Sequence, residues 1–268
     1  MALTVRQRPT HLAYVKKAPS VVFTPVEQAA RNNAIWCDAV CRAHDIPGEF
    51  YDAIWINWHP APRFYSNAVT LAYEQDAAAQ QLAFIRALLD AGLPNGWSIK
   101  DSFCTLDLTA LGFQVYFEAS WLWRSPALAV PHGTRNGARW KWVRDESELA
   151  QWETAWSGVP ANMSSTKPPR LFVPALLSDQ DLAFLAAYQD EAIVAGAIAN
   201  RTENVVGVSN IFAPAAGNDL FWAGCIAMVH DRFPGLPLVG YQHGPELAVA
   251  QKVGFERLQG LRVWTRRG

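Results

Sequence analysis

The second half of the chain alternates between strand-like and helix-like patterns of apolar residues. Alternating or continuous apolar positions predict strands at 139–143, 182–188, 192–200, 204–212, 237–241 and 257–265. Apolar residues at helical spacing predict helices at 145–156, 219–232 and 245–253. Turn residues at 189–191 join two of the strands into a hairpin. This half is therefore expected to be an α/β unit.

The first half carries a similar closing pattern. Helices are predicted at 26–44 and 77–91, and a strand is predicted at 114–123. Gly112-Phe113 precedes that strand as Gly254-Phe255 precedes the last strand of the chain, an offset of 254 − 112 = 142 residues. A shared order of elements with a nearly constant offset is typical of an old duplication.

One segment between the halves has no sustained pattern. Residues 125–137 contain two prolines and two glycines, which predicts a linker between a domain at 1–124 and a domain at 138–268. A second loose stretch, 160–169, predicts a long loop inside the second domain.

Composition excludes several functional classes. The chain has 268 residues, of which 50% are hydrophobic, and its net charge is -1, so it has material for a core but no basic excess for nucleic acid. No apolar run is long enough for a bilayer, and the first residues lack the apolar region of a signal peptide. Four cysteines without framework spacing fit a reducing compartment. We therefore expect a cytoplasmic protein that contacts neither membranes nor nucleic acid.

The end of the chain carries a recognisable arrangement. A strand that begins near Val239, a helix that ends in Gly254-Phe255 and a final strand through Trp264 resemble the end of a GNAT-superfamily N-acetyltransferase domain. The hairpin and the strand at 205–212 are similar to that family's central strands. The resemblance covers roughly 139–266 and, more faintly, the first half. It implies an α/β (α+β) fold of two tandem GNAT-like domains, each with a mixed, mostly antiparallel sheet flanked by helices.

The resemblance also implies an activity and a cosubstrate. In that family two neighbouring strands diverge, pantetheine pairs with the exposed backbone, and the pyrophosphate lies at the next helix N-terminus. The implied function is an N-acyltransferase that uses acetyl-CoA or another acyl-CoA, without a metal, on a small amine. Pantetheine would meet Asn210, Ile211 and Phe212, and the phosphates would lie near Ala216, Gly217 and Asn218.

Some positions differ from the family pattern. The phosphate loop has one glycine, and Asp219 adds a negative charge beside it. Ala250 stands where the family commonly has a tyrosine that protonates the leaving thiolate, and His243 replaces an asparagine.

The candidate catalytic residues are His243, Tyr241 and Glu246. An imidazole titrates near neutral pH, as a general base requires. The alternatives are a loop histidine without a role and a tyrosine that packs in the core.

Two further functions remain open at this stage. The first is a catalytically inactive pseudo-acetyltransferase that serves as a small-molecule binding or interaction protein. The second is non-transferase chemistry on a thioester in the same cleft. The expected partner is a small-molecule substrate, and a homodimer is compatible with the sequence.

An aromatic segment precedes the first-half counterpart of the cofactor strand. Trp55, Trp58, Phe64 and Tyr65 are candidates for the wall of a substrate pocket, and a seam between the two domains is the alternative interpretation.

Cys37, Cys41 and His44 share one face of the first predicted helix. Structural zinc requires four ligands, and an apolar face explains these cysteines without a metal. We therefore expect no metal at this position.

Overall fold

A computed structural model describes residues 23–74, 76–93, 96–131, 137–158 and 169–266. The helices are α1 (Pro25–Ala43), α2 (Ala77–Asp90), α3 (Glu146–Ser157), α4 (Asn218–Arg232) and α5 (Pro245–Lys252). The first strands are β1 (Glu49–Phe50), β2 (Ile54–Ile56), β3 (Ala68–Thr70), β4 (Ser98–Asp101) and β5 (Gln114–Arg124). The others are β6 (Arg139–Trp142), β7 (Leu182–Gln189), β8 (Ala192–Arg201), β9 (Val206–Phe212), β10 (Leu238–Gln242) and β11 (Glu256–Thr265). Short 3-10 helices lie at Thr109–Leu111 and Pro174–Ser178.

All of these strands form one sheet in the order β1-β2-β3-β4-β11-β5-β10-β9-β8-β7-β6. The pairs β3/β4 and β9/β10 are parallel, and the other described pairs are antiparallel. The predicted class, a mixed and mostly antiparallel sheet flanked by helices, is therefore confirmed.

The two strands at the centre of the sheet are exchanged between the halves. β5, from the first half, pairs with β10 and β11, whereas β11, from the second half, pairs with β4 and β5. Strands from both sides of the predicted linker at 125–137 therefore belong to one continuous sheet. Residues 125–131 contain no helix or strand, and 132–136 lie outside the described residues. The prediction at 160–169 also lies almost entirely outside them.

The helices are divided between the two faces of the sheet. α4 and α5 pack on Val206, Val208 and Leu238, and α2 packs on the same face at the other end of the sheet. The alternate residues of these strands, such as Val239, face α1. α3 also packs on the α1 face, where its Trp152 contacts Phe184.

α1 is fixed across the strands of the second half. Its first turn has a capping box between Thr24 and Glu27. The Asn32 amide donates to the carbonyl oxygen of Asn200, and the Asn200 amide donates to that of Asn32. Gly207 permits this approach, because a Cβ atom there would lie 2.0 Å from Asn32 Oδ1. α1 therefore covers the strands where β9 begins.

Most predicted elements of the second half match the structure to within two residues. The sequence did not predict β1 and β2, which span two and three residues, or the 3-10 helix at Pro174–Ser178. Strands this short do not establish a period, and their pairing rather than their pattern defines them.

Candidate functional site

The parallel strands β9 and β10 separate soon after they begin. They pair at Val206/Leu238 and Gly207/Val239, and no further pair is formed between them, although they continue to Phe212 and Gln242. Backbone groups of β9 that face β10 beyond Gly207 therefore lie at an opening in the sheet.

An irregularity in β9 lies at this opening. The register between β8 and β9 shifts between Gly196 and Ile198, and Asn210 has a φ of 51°. Asparagine tolerates the left-handed region better than most other residues, whereas a β-branched residue does not. Asn210 therefore supports a bulge that changes the direction of β9 where it leaves β10.

A cavity of about 580 Å³ opens where these strands separate, beneath α1. Its wall combines both halves of the chain. Residues of the wall include Asn33, Tyr65, Lys100, Ser209, Asn210 and Tyr241. We refer to this cavity as the central cleft.

Lys100 and Tyr241 meet within the central cleft. The Lys100 ammonium donates to Asn33 Oδ1 at 2.5 Å and lies 3.5 Å from the Tyr241 hydroxyl oxygen. It also lies 4.6 Å from the centre of the Tyr241 ring. A strand of the first half thus supplies a cation to the opening formed by the second half.

Two hydroxyl groups that line the central cleft, those of Tyr65 and Ser209, are buried and have no acceptor for their protons among the described residues. Burial raises the pKa of the Tyr65 hydroxyl well above its ordinary value, and the nearby Trp36 side chain opposes this only in part. Tyr65 is therefore a protonated donor at neutral pH.

The structure separates the three predicted catalytic residues. Tyr241 lines the central cleft. His243 is exposed, and its ring packs 5.2 Å from that of Phe117. Glu246, at the start of α5, accepts hydrogen bonds of 3.0 and 3.1 Å from the side-chain amide of Asn218. Their catalytic roles stay predictions, and of the three only Tyr241 borders the cleft.

The predicted pantetheine residues are also divided. Asn210 and Ile211 line the central cleft. Phe212 instead packs against Trp152 of α3, with ring centroids 5.3 Å apart.

The predicted phosphate residues lie at the N-terminus of α4. Ala216 is exposed, Gly217 caps the helix with a φ of 73°, and Asn218 is the first helical residue. Gly217 has no side chain to cap the helix, and the Leu220 amide donates to Asp219 Oδ1 at 3.1 Å, so the amides of Asn218 and Asp219 are the candidates that could donate to an anion. The carboxylates of Asp219 and Glu246 lie at the same end and oppose a negative ligand.

Solved structures share this architecture. A GCN5-related N-acetyltransferase from Kribbella flavida matches 90% of this chain and 96% of its own at a TM-score of 0.60 and 14% identity. One from Sphaerobacter thermophilus matches 91% of this chain and 94% of its own, with a TM-score of 0.54 and 10% identity. A GCN5-related N-acetyltransferase-like protein from Streptococcus suis matches 90% and 98%, with a TM-score of 0.50 and 13% identity.

The chain has the GNAT fold. No family model and no curated protein matches the sequence itself. At 10–15% identity these likenesses establish the architecture, and function must be argued from the residues of the site.

One position that commonly carries the proton donor in GNAT enzymes is closed in this protein. Ala250 is fully buried in the core beneath α5, together with Val253 and Phe255. No hydroxyl is available at this position. The tyrosines that line the central cleft are Tyr65, Tyr116 and Tyr241.

The aromatic segment contributes only partly to the site. Phe64 and Tyr65 line the central cleft. Trp55 is completely buried and donates to Asp38, while Trp58 packs with the α2 cluster. The segment is therefore part pocket wall and part core.

The cysteines of α1 face the core. Cys37 and Cys41 pack against Trp55 and Val69, and burial raises the pKa of both thiols. His44 Nε2 lies 2.8 Å from the carbonyl oxygen of Leu171. Among the described residues, no group of three His, Cys, Asp or Glu side chains is placed to hold a metal. No described helix has the length and apolar character needed to cross a membrane.

The sequence interpretation missed Lys100 and Ser209 as residues of the site. The lysine within the short buried strand Ser98–Asp101 could have indicated the site, since lysines are rarely fully buried unless they are paired with another group. The sequence around Ser209 gave no such signal, because its place in the cleft follows only from the separation of β9 and β10.

Proposed function

We propose that this protein is an acyl-CoA-dependent N-acyltransferase that acts on a small amine in the central cleft. The separation of β9 and β10 after Gly207 and Val239 is the observation that carries the proposal. Acyl-CoA would supply an activated thioester at this opening.

The residues at the opening fit the pantetheine arm. Backbone groups buried without partners are costly, and the groups of β9 beyond Gly207 have no β10 partner. A ligand with amide groups, such as pantetheine, satisfies them as a neighbouring strand would. Asn210 and Ile211 are the residues we assign to this contact.

The N-terminus of α4 fits the phosphates less well. The amides of Asn218 and Asp219 and the helix dipole favour an anion, whereas the Leu220 amide already donates to Asp219 Oδ1. Asp219 and the Glu246 carboxylate oppose one, and Glu246 also occupies the Asn218 amide. We therefore expect the phosphates to add little to the binding of acyl-CoA.

Tyr241 is the residue we assign to proton transfer. Its hydroxyl oxygen lies toward the Lys100 ammonium, so its own proton can be donated into the central cleft from Oη. Residues of α1 form one wall of the cleft that this hydroxyl borders.

A pseudo-acetyltransferase that binds a small molecule without transfer is the second candidate. The acidic groups at the N-terminus of α4 favour it, because they weaken the site on which most of the charge of CoA would lie.

Calorimetric titration with acetyl-CoA and with acetyl-pantetheine tests the proposal. We expect both to bind, with acetyl-CoA less than about tenfold tighter because its phosphates contribute little. Release of free thiol with a panel of small amines then separates transfer from binding alone. If neither ligand binds, the proposed function is wrong, whereas binding without thiol release supports the pseudo-acetyltransferase.

A further inference from the structure

We propose that Lys100 forms a subsite for a carboxylate group of the acceptor, so that the amine is an amino acid or a similar carboxylate-bearing amine. This inference rests on the proposed function, because it names the substrate class of the same cleft. It also predicts binding that is measurable without acyl-CoA.

The first support is an uncompensated buried charge. Lys100 is only 5% exposed, and it forms no ion pair with any described residue. A buried ammonium without a counter-charge is costly, and proteins rarely keep one unless it has a use. An anionic ligand group would supply the missing charge.

The second support is a free donor position. An ammonium group has three donors. One is directed to Asn33 Oδ1 and a second toward the Tyr241 hydroxyl, so one remains for a ligand. Lys100 lines the central cleft, which gives that donor access to a bound molecule.

The third support is independent of the charge. The hydroxyls of Tyr65 and Ser209 are buried, their protons have no acceptor among the described residues, and both residues line the same cleft. A carboxylate is an acceptor with two oxygens that can take several hydrogen bonds at once. The ammonium and the two hydroxyls are therefore donors, within the lining of one cavity, of the kind that a carboxylate accepts.

The position of these groups favours the acceptor over the phosphates of CoA. Tyr241 and Lys100 project to the face covered by α1, as Val239 and Val263 do. α4, whose N-terminus is the candidate phosphate site, packs on the opposite face of β9 and β10. One anion site on each face leaves room for two different ligands.

The remaining wall of the cleft suggests an apolar side chain on the acceptor. Trp36, Phe117 and Trp121 line it together with the polar groups. A volume of about 580 Å³ accommodates an aromatic amino acid beside a pantetheine arm. L-phenylalanine is therefore the first probe.

The experiment titrates the full chain with L-phenylalanine, phenylacetate and L-phenylalaninamide, followed by calorimetry and ligand-observed NMR. We expect the two carboxylates to bind and the amide to bind at least about tenfold more weakly. Lys100→Met should weaken the carboxylates by about the same factor without changing the amide. Lys252→Met, which removes an exposed lysine of α5, is the matched control and should change nothing.

Ser209→Ala provides a second variant if Lys100→Met does not fold. It removes an unpartnered hydroxyl, so it should retain the fold and weaken the carboxylates several-fold. Equal binding of carboxylate and amide, or no binding of either carboxylate at millimolar concentration, would overturn the inference.

Acetyl-CoA titrated into the same variants separates this inference from the proposed function. Acetyl-CoA binding that is retained in Lys100→Met, together with lost carboxylate binding, supports both proposals. Carboxylate binding without any binding of acetyl-CoA overturns only the proposed function. Loss of acetyl-CoA affinity in Lys100→Met, with the carboxylates unaffected, would assign the lysine to the cosubstrate and overturn the inference.

Discussion

The two parallel strand pairs of the sheet, β3/β4 and β9/β10, differ in the contacts that follow their last paired residues. Beyond β3 and β4, the Ser102 amide donates to Thr70 Oγ1 at 2.8 Å, and the Gln81 side chain of α2 donates to the carbonyl oxygens of Ala53 and Ala72. Beyond the Gly207/Val239 pair, β9 and β10 form no further pair and the central cleft opens. The first pair is closed by its own side chains, and the second is open to a ligand.

Of the two parallel pairs, β9/β10 is the one that opens onto the central cleft. A gap between parallel strands exposes polar backbone groups, which must be satisfied by the protein or by a ligand. In the first half the Thr70 hydroxyl accepts from the Ser102 amide across β3 and β4, and the completely buried Gln81 donates to carbonyl groups at the adjoining ends of β2 and β3. We propose that the halves descend from one duplicated unit, since the sheet order runs inward through matching strands from both ends. The first copy then became a structural support that contributes Lys100.

The largest expected effect is on the closed pair. Gln81→Ala should destabilise the fold by about 3 kcal/mol, because it removes the side-chain donor of the Ala72 carbonyl and the second donor of the Ala53 carbonyl, and it creates a cavity. Gln80→Ala, the exposed neighbour on the same helix, should change stability by less than about 0.5 kcal/mol. Urea unfolding of the two variants measures the contrast. Equal stability of the two would show that Gln81 does not close the gap.

The open pair provides the next test. Asn210→Val should weaken acetyl-CoA binding at least about tenfold, because valine does not tolerate a φ of 51° and the bulge would be lost. Asn210→Gly is the matched control, since glycine adopts that conformation freely. Calorimetry compares both with the parent protein. If valine is as well tolerated as glycine, the bulge has no part in the cofactor site.

The sequence predicted the fold better than the site. Long periodic segments such as 219–232 and 257–265 predicted α4 and β11 closely, because each has an apolar face of which a large part is buried. The exchange of β5 and β11 could not be predicted, since it depends on pairing between residues more than a hundred positions apart. The local pattern of apolar and polar residues does not indicate which distant strands pair with each other.

The residues that the sequence assigned to catalysis or cofactor binding and that line the central cleft all lie on the two parallel strands of the second half. Tyr241, Asn210 and Ile211 could be proposed from the order of elements in the second half, and they line the cleft. Lys100 could not be placed beside Tyr241, because β11 and β5 lie between their strands. The contact exists only because both long side chains project across those two strands.

A smaller effect, on the pH dependence of stability, is expected from the charged residue at the end of β4. Asp101, which ends β4, is buried, and desolvation raises its pKa above the ordinary value of 3.8. The folded state therefore holds this proton more tightly than the unfolded state, so its contribution to stability falls as pH rises from 3.8 through the folded pKa. Gln242, which ends β10, has no such charge.

Asp101→Asn should remove this pH dependence. The unfolding free energy of the parent minus that of the variant should fall as pH rises through that window and level off above it. Asp107→Asn is the control of opposite sign, because hydrogen bonds from Thr109 lower the pKa of the exposed Asp107. Its contribution should be present above the ordinary pKa and lost as pH falls. Urea unfolding across the acidic range measures both, and parallel profiles for parent and Asp101→Asn would contradict the assignment.

The smallest expected effect concerns the phosphate end of the open pair. Asp219 lies in the first turn of α4, where a negative charge is favourable for the helix but unfavourable for a bound phosphate. Asp219→Asn should therefore tighten acetyl-CoA by about 1 kcal/mol or less, while acetyl-pantetheine, which lacks the phosphates, should be unaffected. The variant should also be slightly less stable without ligand, because the helix loses a favourable charge. Calorimetry with both ligands at low salt gives the comparison. An unchanged affinity for acetyl-CoA would mean that its phosphates lie away from α4, and equal tightening of both ligands would mean that Asp219 acts through the cleft and not through the phosphates.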